Sequence, residues 1–403
     1  MPIGTRRILQ NVALAGASLL ATLLVLEGLA RLARRSGSQG KEAGTIALYT
    51  EHDPVLGWRK RAGGRATFRR HEYTVEVVMN SHGLRDVERA YQPAPGTFRI
   101  LALGDSFIEA YGVPLQETLT QVLEKNLSRR GCSVEAINGG TAAYSTDQEY
   151  LFYATEGVKY SPAVVIVFFY SNDVLFNGLD SQFGSPKPLL AEKDGRLVVS
   201  NAPVPKPPVS APPPAASSTA EPAGSALFAW IESSLLRGAP RTYNRLSALR
   251  LWPPIRPTTP HLQLKVYKKK DLPEIEDGWR QTALILGALA KDVEAKGARL
   301  LVAYVPSRME VRDRDWELTQ MRYGMDERWD RDRVRARLAE IARGVGFPVL
   351  DLTPALRASE RGIFGGPYYA QDGHWNALGH QVAAGEVERF LRREKWRPDC
   401  ASG

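Results

Sequence analysis

Cysteine is nearly absent from this 403-residue sequence, which contains only Cys132 and Cys400. Two cysteines so far apart exclude a disulfide framework and a cysteine-rich metal site. Histidine is also scarce, with six residues. No spacing typical of metal ligands occurs among those outside the C-terminal motif described below, which are His52, His71, His82 and His261. We therefore predict neither a metal nor a cofactor.

The sequence also lacks a basic stripe interleaved with aromatic residues, although its formal net charge is +9. Lysine and arginine total 53 against 44 aspartate and glutamate residues, and they are scattered among acidic neighbours, as in "VRDRDWE". This pattern argues against a nucleic-acid partner. It is typical of a solvated surface and suits one that lies near anionic lipid or polysaccharide.

Long apolar runs are missing except near the N-terminus, where "RRILQNVALAGASLLATLLVLEGLARLARR" contains an uninterrupted stretch over residues 12–26. With its flanks this stretch reaches about 20 residues, enough to cross a bilayer. We predict that residues 1–35 form a single-pass transmembrane anchor. A signal peptide cleaved after Ala30 and a buried helix of a soluble domain are the alternatives. Arginines flank the run on both sides, so their count does not favour an outside location for the rest of the chain.

Residues 36–96 are predicted to form a tether, "SGSQGKEAGTIAL", and then a small β extension that includes "RATFRRHEYTVEVVMN". From residue 97 onward, short apolar strands alternate with amphipathic helices. The predicted strands cover residues 99–104, 133–137, 163–169, 299–305 and 347–350. The predicted helices cover residues 115–130, 146–159, 274–297, 328–344 and 376–393. This alternation predicts an α/β domain over 97–395, a three-layer α/β/α sandwich with a five-stranded parallel sheet.

The interval 174–273 breaks this alternation and is predicted to be an insertion. It contains the hairpin sequence "PLLAEKDGRLVVS", which turns at Asp194-Gly195. The following stretch, at about 202–224, is rich in proline and small residues and is predicted to be disordered or polyproline-like. A short helix around "ALFAWIESSLL" is expected to pack its tryptophan and leucines on the core. Contact with the membrane and a cap over the active site are the alternatives.

Polar residues follow three of the predicted strands, in the segments "GDS", "NGGTAAYSTDQ" and "YSND", and a fourth segment, "QDGHWNALGH", precedes the last helix. Ligands of an open parallel sheet gather at the carboxyl ends of its strands. Taken singly, each segment has an ordinary explanation, since such residues commonly cap helices or form turns. Their shared position at one end of one sheet favours an active site.

Ser106, His374 and Asp372 are the residue types of a nucleophile, its base and the acid that orients the base. A serine is a weak nucleophile until a base within hydrogen-bond reach takes its proton. A histidine has an ordinary pKa near neutrality and suits that task. The acid, two residues before the histidine, is placed to hold one ring nitrogen. Candidate donors to an oxyanion are Asn172 and the N–H of Gly139 or Gly140.

Together these segments resemble the blocks of the SGNH/GDSL hydrolase superfamily, and the resemblance covers about residues 97–395. It implies a flavodoxin-like fold and the catalytic residues Ser106, Asp372 and His374. It also implies an oxyanion hole made by Ser106, Gly140 and Asn172.

Two departures from the superfamily pattern are visible. Tyr170 stands where the third block usually has a glycine, two residues before the asparagine. The last block is Asp-x-His followed by Trp375, whereas Asp-x-x-His is usual. This shorter form is similar to the one in bacterial polysaccharide O-acetyltransferases of the alginate type.

The resemblance implies a membrane-anchored serine esterase that acts on carboxylic esters, with an ester or an acylated glycan or lipid as substrate. An O-acyltransferase of cell-surface polysaccharides and a non-catalytic component of polysaccharide assembly are the alternatives. Envelope-polysaccharide machinery is then a candidate partner. The catalytic domain is expected on the periplasmic side of a bacterial inner membrane. Outside the motifs, Arg85 and Asp86 are expected to pair at the surface, with a role in bracing the site as the alternative, and His380 is expected to pack within the last helix.

Overall fold

A computed structural model of the chain describes residues 3–35, 42–128, 133–194, 196–207, 225–249, 251–253, 257–362 and 365–397. The chain divides into two compact units. The smaller consists of Met1–Lys41 with Ser210–Pro254, and the larger consists of Glu42–Val209 with Ile255–Gly403. The interval 174–273 is therefore divided between the two units.

All strands of the described residues lie in the larger unit. In chain order they are β1 (Thr50–Asp53), β2 (Gly57–Lys60), β3 (Arg65–Arg69), β4 (Thr74–Val78), β5 (Phe98–Leu103), β6 (Val134–Asn138), β7 (Val164–Tyr170), β8 (Ser181–Gln182), β9 (Ser185–Pro186), β10 (Leu190–Lys193), β11 (Arg196–Val199), β12 (Arg299–Val305) and β13 (Val349–Asp351).

The helices include one very long N-terminal member and several of a single turn. In chain order they are α1 (Ile3–Arg35), α2 (Glu42–Ile46), α3 (Ser106–Glu109), α4 (Leu119–Ser128), α5 (Thr146–Thr155), α6 (Asp173–Phe176), α7 (Ala226–Gly238), α8 (Pro240–Ala248), α9 (Pro273–Ala295), α10 (Arg308–Val311), α11 (Asp313–Tyr323), α12 (Arg333–Val345), α13 (Thr353–Ala358) and α14 (Ala377–Arg393). Short 3₁₀ turns cover Leu115–Glu117, Gly157–Tyr160 and Leu262–Tyr267.

The central sheet has five parallel strands in the order β13-β12-β7-β5-β6. Its middle strand, β7, has the sequence "VVIVFFY" and is buried from Val164 to Phe169. Such continuous apolar strands are typical of a parallel sheet covered on both faces. The predicted parallel sheet is confirmed, and each predicted strand overlaps an observed one.

Each face of this sheet has its own apolar core. On one face, α5, α9 and α12 contribute Phe152, Trp279 and Leu338 to a buried cluster. On the other, α4 and α14 contribute residues such as Leu123 and Leu391. These helices correspond to the predicted windows, so the three-layer sandwich is confirmed. The prediction for His380 is also confirmed, because this side chain is buried within α14.

The β extension is confirmed and packs on the α/β domain. It consists of the antiparallel hairpins β1–β2 and β3–β4. Alternate residues of β3 and β4 are buried, as expected for a strand with one solvated face. Phe68 on β3 stacks on Tyr111 of the domain, with ring centroids 4.6 Å apart. The extension therefore lies beside the segment that follows α3.

The interval 174–273 contains the predicted hairpin, formed by β10 and β11. Most of its proline-rich stretch, residues 208–224, lies outside the described residues. The predicted short helix is α7, but the expectation that its tryptophan packs on the core is wrong. Trp230 is 57% exposed, and α7 begins against α1, where the carboxylate of Glu27 accepts the N–H groups of Ala226 at 2.8 Å and Leu227 at 2.9 Å. These backbone groups need a partner because a helix leaves its first N–H groups unpaired.

Helix α1 contains an 18-residue stretch, Leu14–Arg31, that is long and apolar enough to cross a membrane. Its leucines are exposed, which argues against a helix buried in a soluble core. A signal sequence near an N-terminus has the same length and composition. The anchor therefore stays a prediction at this point.

Candidate active site

Ser106 lies at the carboxyl end of β5, as the first residue of α3. The preceding residue, Asp105, accepts the N–H of Phe107 at 2.9 Å with its side chain, so it caps the helix in the way expected of an aspartate. Within the described part of the chain, the N–H of Ser106 has no hydrogen-bond acceptor. The capping role that could explain a serine here thus belongs to Asp105.

The Ser106 hydroxyl contacts His374 from the far end of the chain. Its Oγ is 2.8 Å from Nε2 of His374. The other ring nitrogen, Nδ1, is in close contact with Oδ1 of Asp372, which also accepts the His374 N–H at 3.2 Å. In this network Nδ1–H donates to the carboxylate, and Nε2 is left to accept the serine proton. The three predicted catalytic side chains are therefore brought together in the order nucleophile, base and acid.

Asp372 is held in its ionised form. Burial opposes ionisation, but the hydrogen bond and charge of His374 and the hydroxyl of Tyr73 outweigh it and lower the pKa of Asp372 to about 2. Oδ2 of Asp372 accepts the Tyr73 hydroxyl at 2.7 Å. The carboxylate is thus available to stabilise a positive charge on the imidazole ring throughout the neutral range.

Gly140, the predicted oxyanion donor, already has a partner for its N–H within the protein. Its N–H donates to Oδ1 of Asn138 at 3.1 Å, so this group is already used within the protein. A glycine is needed here for another reason, since a Cβ would lie 2.5 Å from the backbone nitrogen of Glu109 in α3. The glycine in the sequence indicates that two backbone segments approach closely. It does not indicate which N–H groups of the turn have acceptors within the protein.

The following N–H groups of the same turn make Ala143 the alternative candidate for an oxyanion donor. The N–H of Thr141 donates to the Gly104 carbonyl at 2.9 Å, and that of Ala142 donates to Oε2 of Glu109 at 2.6 Å. Ala143 is half-buried with a φ of 62°. Its N–H has no acceptor among the residues that the structure describes. A positive φ is costly for an alanine, and such strain is often found at functional sites.

Asn172 lies at the carboxyl end of β7, immediately before α6. The side chain is half-buried and makes no hydrogen bond within the described residues, and its Oδ1 is buried. A buried amide oxygen without a partner is uncommon in proteins. The carboxamide N–H donors of Asn172 also have no acceptor among the described residues, so they are available to a ligand at the same end of the sheet as Ser106.

Aromatic side chains that the sequence analysis did not assign surround the His374 ring. The hydroxyl of Tyr111 lies 3.4 Å from both ring nitrogens of His374. The ring of Phe107 lies 5.0 Å from that of His374 and 5.1 Å from that of Trp375. Trp375 is fully buried. The tryptophan after the Asp-x-His motif thus anchors the loop in the core, and the imidazole lies in an aromatic cage.

The expected surface pairing of Arg85 and Asp86 is wrong, because both side chains are buried. Arg85 donates to the carbonyls of Glu109 at 2.9 Å and Val113 at 2.5 Å. Burial lowers the pKa of Arg85 to about 10, so it stays charged at neutral pH. Asp86 accepts the N–H of Asn138 at 3.0 Å. The two residues brace the segment after α3 and the end of β6, which was the alternative interpretation.

Comparison with known proteins finds a family match over the C-terminal part of the chain. Residues 267–401 match the family model described as "SGNH hydrolase-like domain, acetyltransferase AlgX". The resemblance to SGNH hydrolases and to alginate-type acetyltransferases is thereby confirmed.

Similar solved structures include a lipase/acylhydrolase from Enterococcus faecalis, with 11% identity, 75% of this chain and 100% of that chain covered, and a TM-score of 0.36. A GDSL-like lipase from Bacteroides thetaiotaomicron has 11% identity, 75% and 92% coverage, and a TM-score of 0.34. No curated protein matches the sequence.

Proposed function

We propose that this chain, which carries an SGNH hydrolase-like domain of the AlgX acetyltransferase type, is a serine-dependent enzyme that cleaves carboxylic esters through an acyl-serine intermediate. The observation that best supports this is the hydrogen-bonded chain from Ser106 through His374 to Asp372. Such an arrangement activates a hydroxyl for attack on a carbonyl carbon.

In the first half of the reaction, Nε2 of His374 takes the Ser106 proton while Oγ forms a bond to the ester carbonyl carbon. The carbonyl π electrons move to its oxygen, and Asp372 stabilises the imidazolium. When the tetrahedral intermediate collapses, the bond from carbon to the alcohol oxygen breaks, and the departing alkoxide takes the proton from His374. The product of this half is an alcohol and acyl-Ser106.

The oxyanion of the tetrahedral intermediate needs donors at the carboxyl end of the sheet. We assign this role to the N–H of Ser106 and the side chain of Asn172, and we add the N–H of Ala143 in place of Gly140. All three groups lack acceptors within the described part of the chain. Donors that are fixed before the reaction stabilise the developing charge without reorganisation.

In the second half, water gives a proton to His374 and attacks the acyl carbon. The bond to Oγ then breaks, Ser106 recovers the proton, and the acid is released. A second candidate function replaces water with a glycan hydroxyl and makes the protein an O-acetyltransferase of surface polysaccharides. The match of residues 267–401 to the acetyltransferase family model favours this candidate.

Parallel assays test these proposals. Aryl esters with acetyl and longer chains are incubated with the wild type and Ser106→Ala, with and without an oligosaccharide acceptor. We expect aryl alcohol release that Ser106→Ala abolishes, and transfer to the acceptor if the second candidate is correct. A folded wild type that neither releases nor transfers acyl groups, and whose Ser106 is not labelled by a fluorophosphonate, would instead support a non-catalytic component of polysaccharide assembly.

We further propose that α1 anchors the protein in a bacterial inner membrane with the catalytic body on the periplasmic side, beside the envelope-polysaccharide machinery. The length and composition of Leu14–Arg31 support an anchor, and the resemblance supports the location. Reporter fusions after residue 45 provide the test. We expect activity from reporters that function outside the cytoplasm, and activity only from cytoplasmic reporters would contradict the proposal.

A further inference from the structure

The turn between β3 and β4 lies against the loop that carries Asp372. The carboxylate of Glu72 in this turn accepts three consecutive backbone N–H groups of that loop. The Ala370 N–H donates to Oε1 at 2.6 Å, and the N–H groups of Gln371 and Asp372 donate to Oε2 at 2.9 and 3.0 Å. A charged acceptor that receives three backbone donors fixes the path of the loop.

The neighbouring residue in the turn, Tyr73, contacts the carboxylate of Asp372 itself. Its hydroxyl donates to Oδ2 at 2.7 Å, the oxygen opposite the one that faces His374. The Tyr73 ring packs on Tyr369, with ring centroids 4.8 Å apart, and the Tyr369 hydroxyl donates to the Gly112 carbonyl at 2.8 Å. The β extension thus contacts both the backbone of the loop and the side chain of Asp372.

The loop needs external support for a physical reason. Between Asp372 and His374 stands Gly373, with a φ of 84°, and a glycine restricts the backbone conformations of its segment less than any other residue does. If the Asp372 carboxylate contacted only His374, the two side chains could rotate together. Contacts on the opposite oxygen and on the preceding N–H groups remove that freedom.

We infer that Glu72 and Tyr73 are positioning residues, which orient Asp372 so that His374 faces Ser106. The inference deepens the proposed function and rests on it. It assigns a catalytic consequence to the β extension, a part of the chain that precedes the α/β domain. The required precision is high, because a displacement of about 1 Å in such a network can cost about 10²-fold in rate.

Tyr73→Phe tests the hydroxyl while keeping the ring on Tyr369. With p-nitrophenyl acetate as substrate, we expect kcat to fall about 10-fold and KM to change less than about twofold, since a hydrogen bond to a charged group is lost without a change in the substrate surface. Tyr150→Phe is the matched control, because the Tyr150 hydroxyl also donates to an aspartate, Asp292, at 3.0 Å on the helical layer of α5 and α9. A kcat for Tyr73→Phe equal to that of this control would overturn the inference.

Glu72 is tested by Glu72→Ala and Glu72→Gln. We expect the alanine variant to lose more activity than the glutamine variant, which keeps one acceptor oxygen for the loop. The control is Glu76→Gln, which removes an exposed carboxylate from the same hairpin. If activity falls equally in all three variants, and only in proportion to the melting temperature, Glu72 is a purely structural residue. That result would contradict the inference.

A measurement without substrate separates this inference from the proposed reaction. The proton between Asp372 and Nδ1 of His374 gives a strongly deshielded proton NMR signal when the pair is well ordered. We expect this signal to shift or broaden in Tyr73→Phe and Glu72→Ala and to stay unchanged in Tyr150→Phe and Glu76→Gln. A chain without esterase activity but with this response would refute the proposed function and keep the positioning role, whereas an unchanged signal in all four variants would refute the positioning role.

Discussion

At the scale of single residues, Asn172 is the candidate oxyanion donor that a side-chain substitution can test. Its amide is half-buried, without a partner in the described part of the chain, at the same sheet edge as Ser106. Asn172→Ala should therefore lower kcat by about 10²–10³-fold with little change in KM, because the lost donor acts on the transition state. Steady-state kinetics on an aryl acetate measure both constants.

The control for this prediction is Asn126→Ala, which truncates a half-buried asparagine on α4. It should leave kcat unchanged. Equal activity of Asn172→Ala and the wild type would remove Asn172 from the oxyanion site.

Asp105 predicts a pH dependence of stability. Burial raises the pKa of Asp105 from 3.8 to about 6. Between these values the folded protein holds a proton that the unfolded chain releases, so the stability of the wild type falls as the pH rises from 4 to 6. Above pH 6 the free energy of unfolding is lower than below pH 4 by about 3 kcal/mol. Each unit of difference in pKa between the folded and unfolded states corresponds to about 1.4 kcal/mol.

Asp105→Asn keeps a side-chain oxygen for the Phe107 N–H and has no charge to bury. Denaturant unfolding at pH 4 and pH 8 should therefore show a smaller decrease in free energy for this variant than for the wild type. Asp180→Asn, at an exposed position, should behave like the wild type. Parallel pH profiles for the wild type and Asp105→Asn would show that Asp105 does not titrate near 6.

Ser106, Asp372 and His374 could be singled out from the sequence because each lies in a short motif of residue types that suit a nucleophile, an acid or a base, and the structure brings the three side chains together. The choice among the N–H groups of the turn after β6 was harder to make from the sequence. The partner of the Gly140 N–H, Asn138, is local, but Glu109, which accepts the Ala142 N–H, reaches the turn only through the fold. The burial of Arg85 was missed because its carbonyl partners, at the end of α3 and just after it, come close to Arg85 only in the folded protein.

At the scale of elements, the strands and long helices were predictable because an apolar run or an apolar helix face identifies each of them. The short helices α11 and α13 were not predicted. Helix α11 has no buried residue and therefore shows no apolar face in its sequence. The packing of α7 was also missed, since an apolar helix does not indicate in its sequence which surface it contacts.

We predict a strong energetic coupling between Lys187, which follows β9, and Asp147 on helix α5. Lys187 forms a fully buried ion pair with Asp147 on α5 and also donates to the Phe176 carbonyl at 2.8 Å. Lys187→Met should lower the free energy of unfolding by about 3–5 kcal/mol, because it leaves a buried carboxylate without its counter-ion. Equilibrium denaturation measures the change.

The double variant Lys187→Met with Asp147→Asn should regain part of this loss, since no charge is then buried. Lys193→Met, at an exposed position on β10, is the control and should have no measurable effect. Additive losses in the double variant would mean that the two side chains are not energetically coupled.

At the scale of the whole molecule, the proposed anchor and the candidate site lie in different units. Every residue assigned to the reaction lies in Glu42–Val209 or Ile255–Gly403. A chain without residues 1–35 should therefore leave the membrane fraction and keep its activity on a soluble ester within about twofold, as expected for separately folded units. Fractionation followed by assay measures both properties.

Glu27→Gln provides the comparison, because it keeps the apolar helix and removes only the charge that α7 contacts. It should remain in the membrane fraction. A truncated chain that stays membrane-bound, or one that is folded but inactive, would contradict this division of roles.

The support that the β extension gives to the Asp372 loop bears on how the protein can be divided for experiments. The region matched by the family model, 267–401, includes Asp372 and His374 but neither Ser106 nor the hairpin that contacts the Asp372 loop. A fragment cut at residue 97 would include the entire sheet and would still lose Glu72 and Tyr73. The smallest expression product worth crystallising with an inhibitor therefore begins near Glu42, well upstream of where homology would place the first residue.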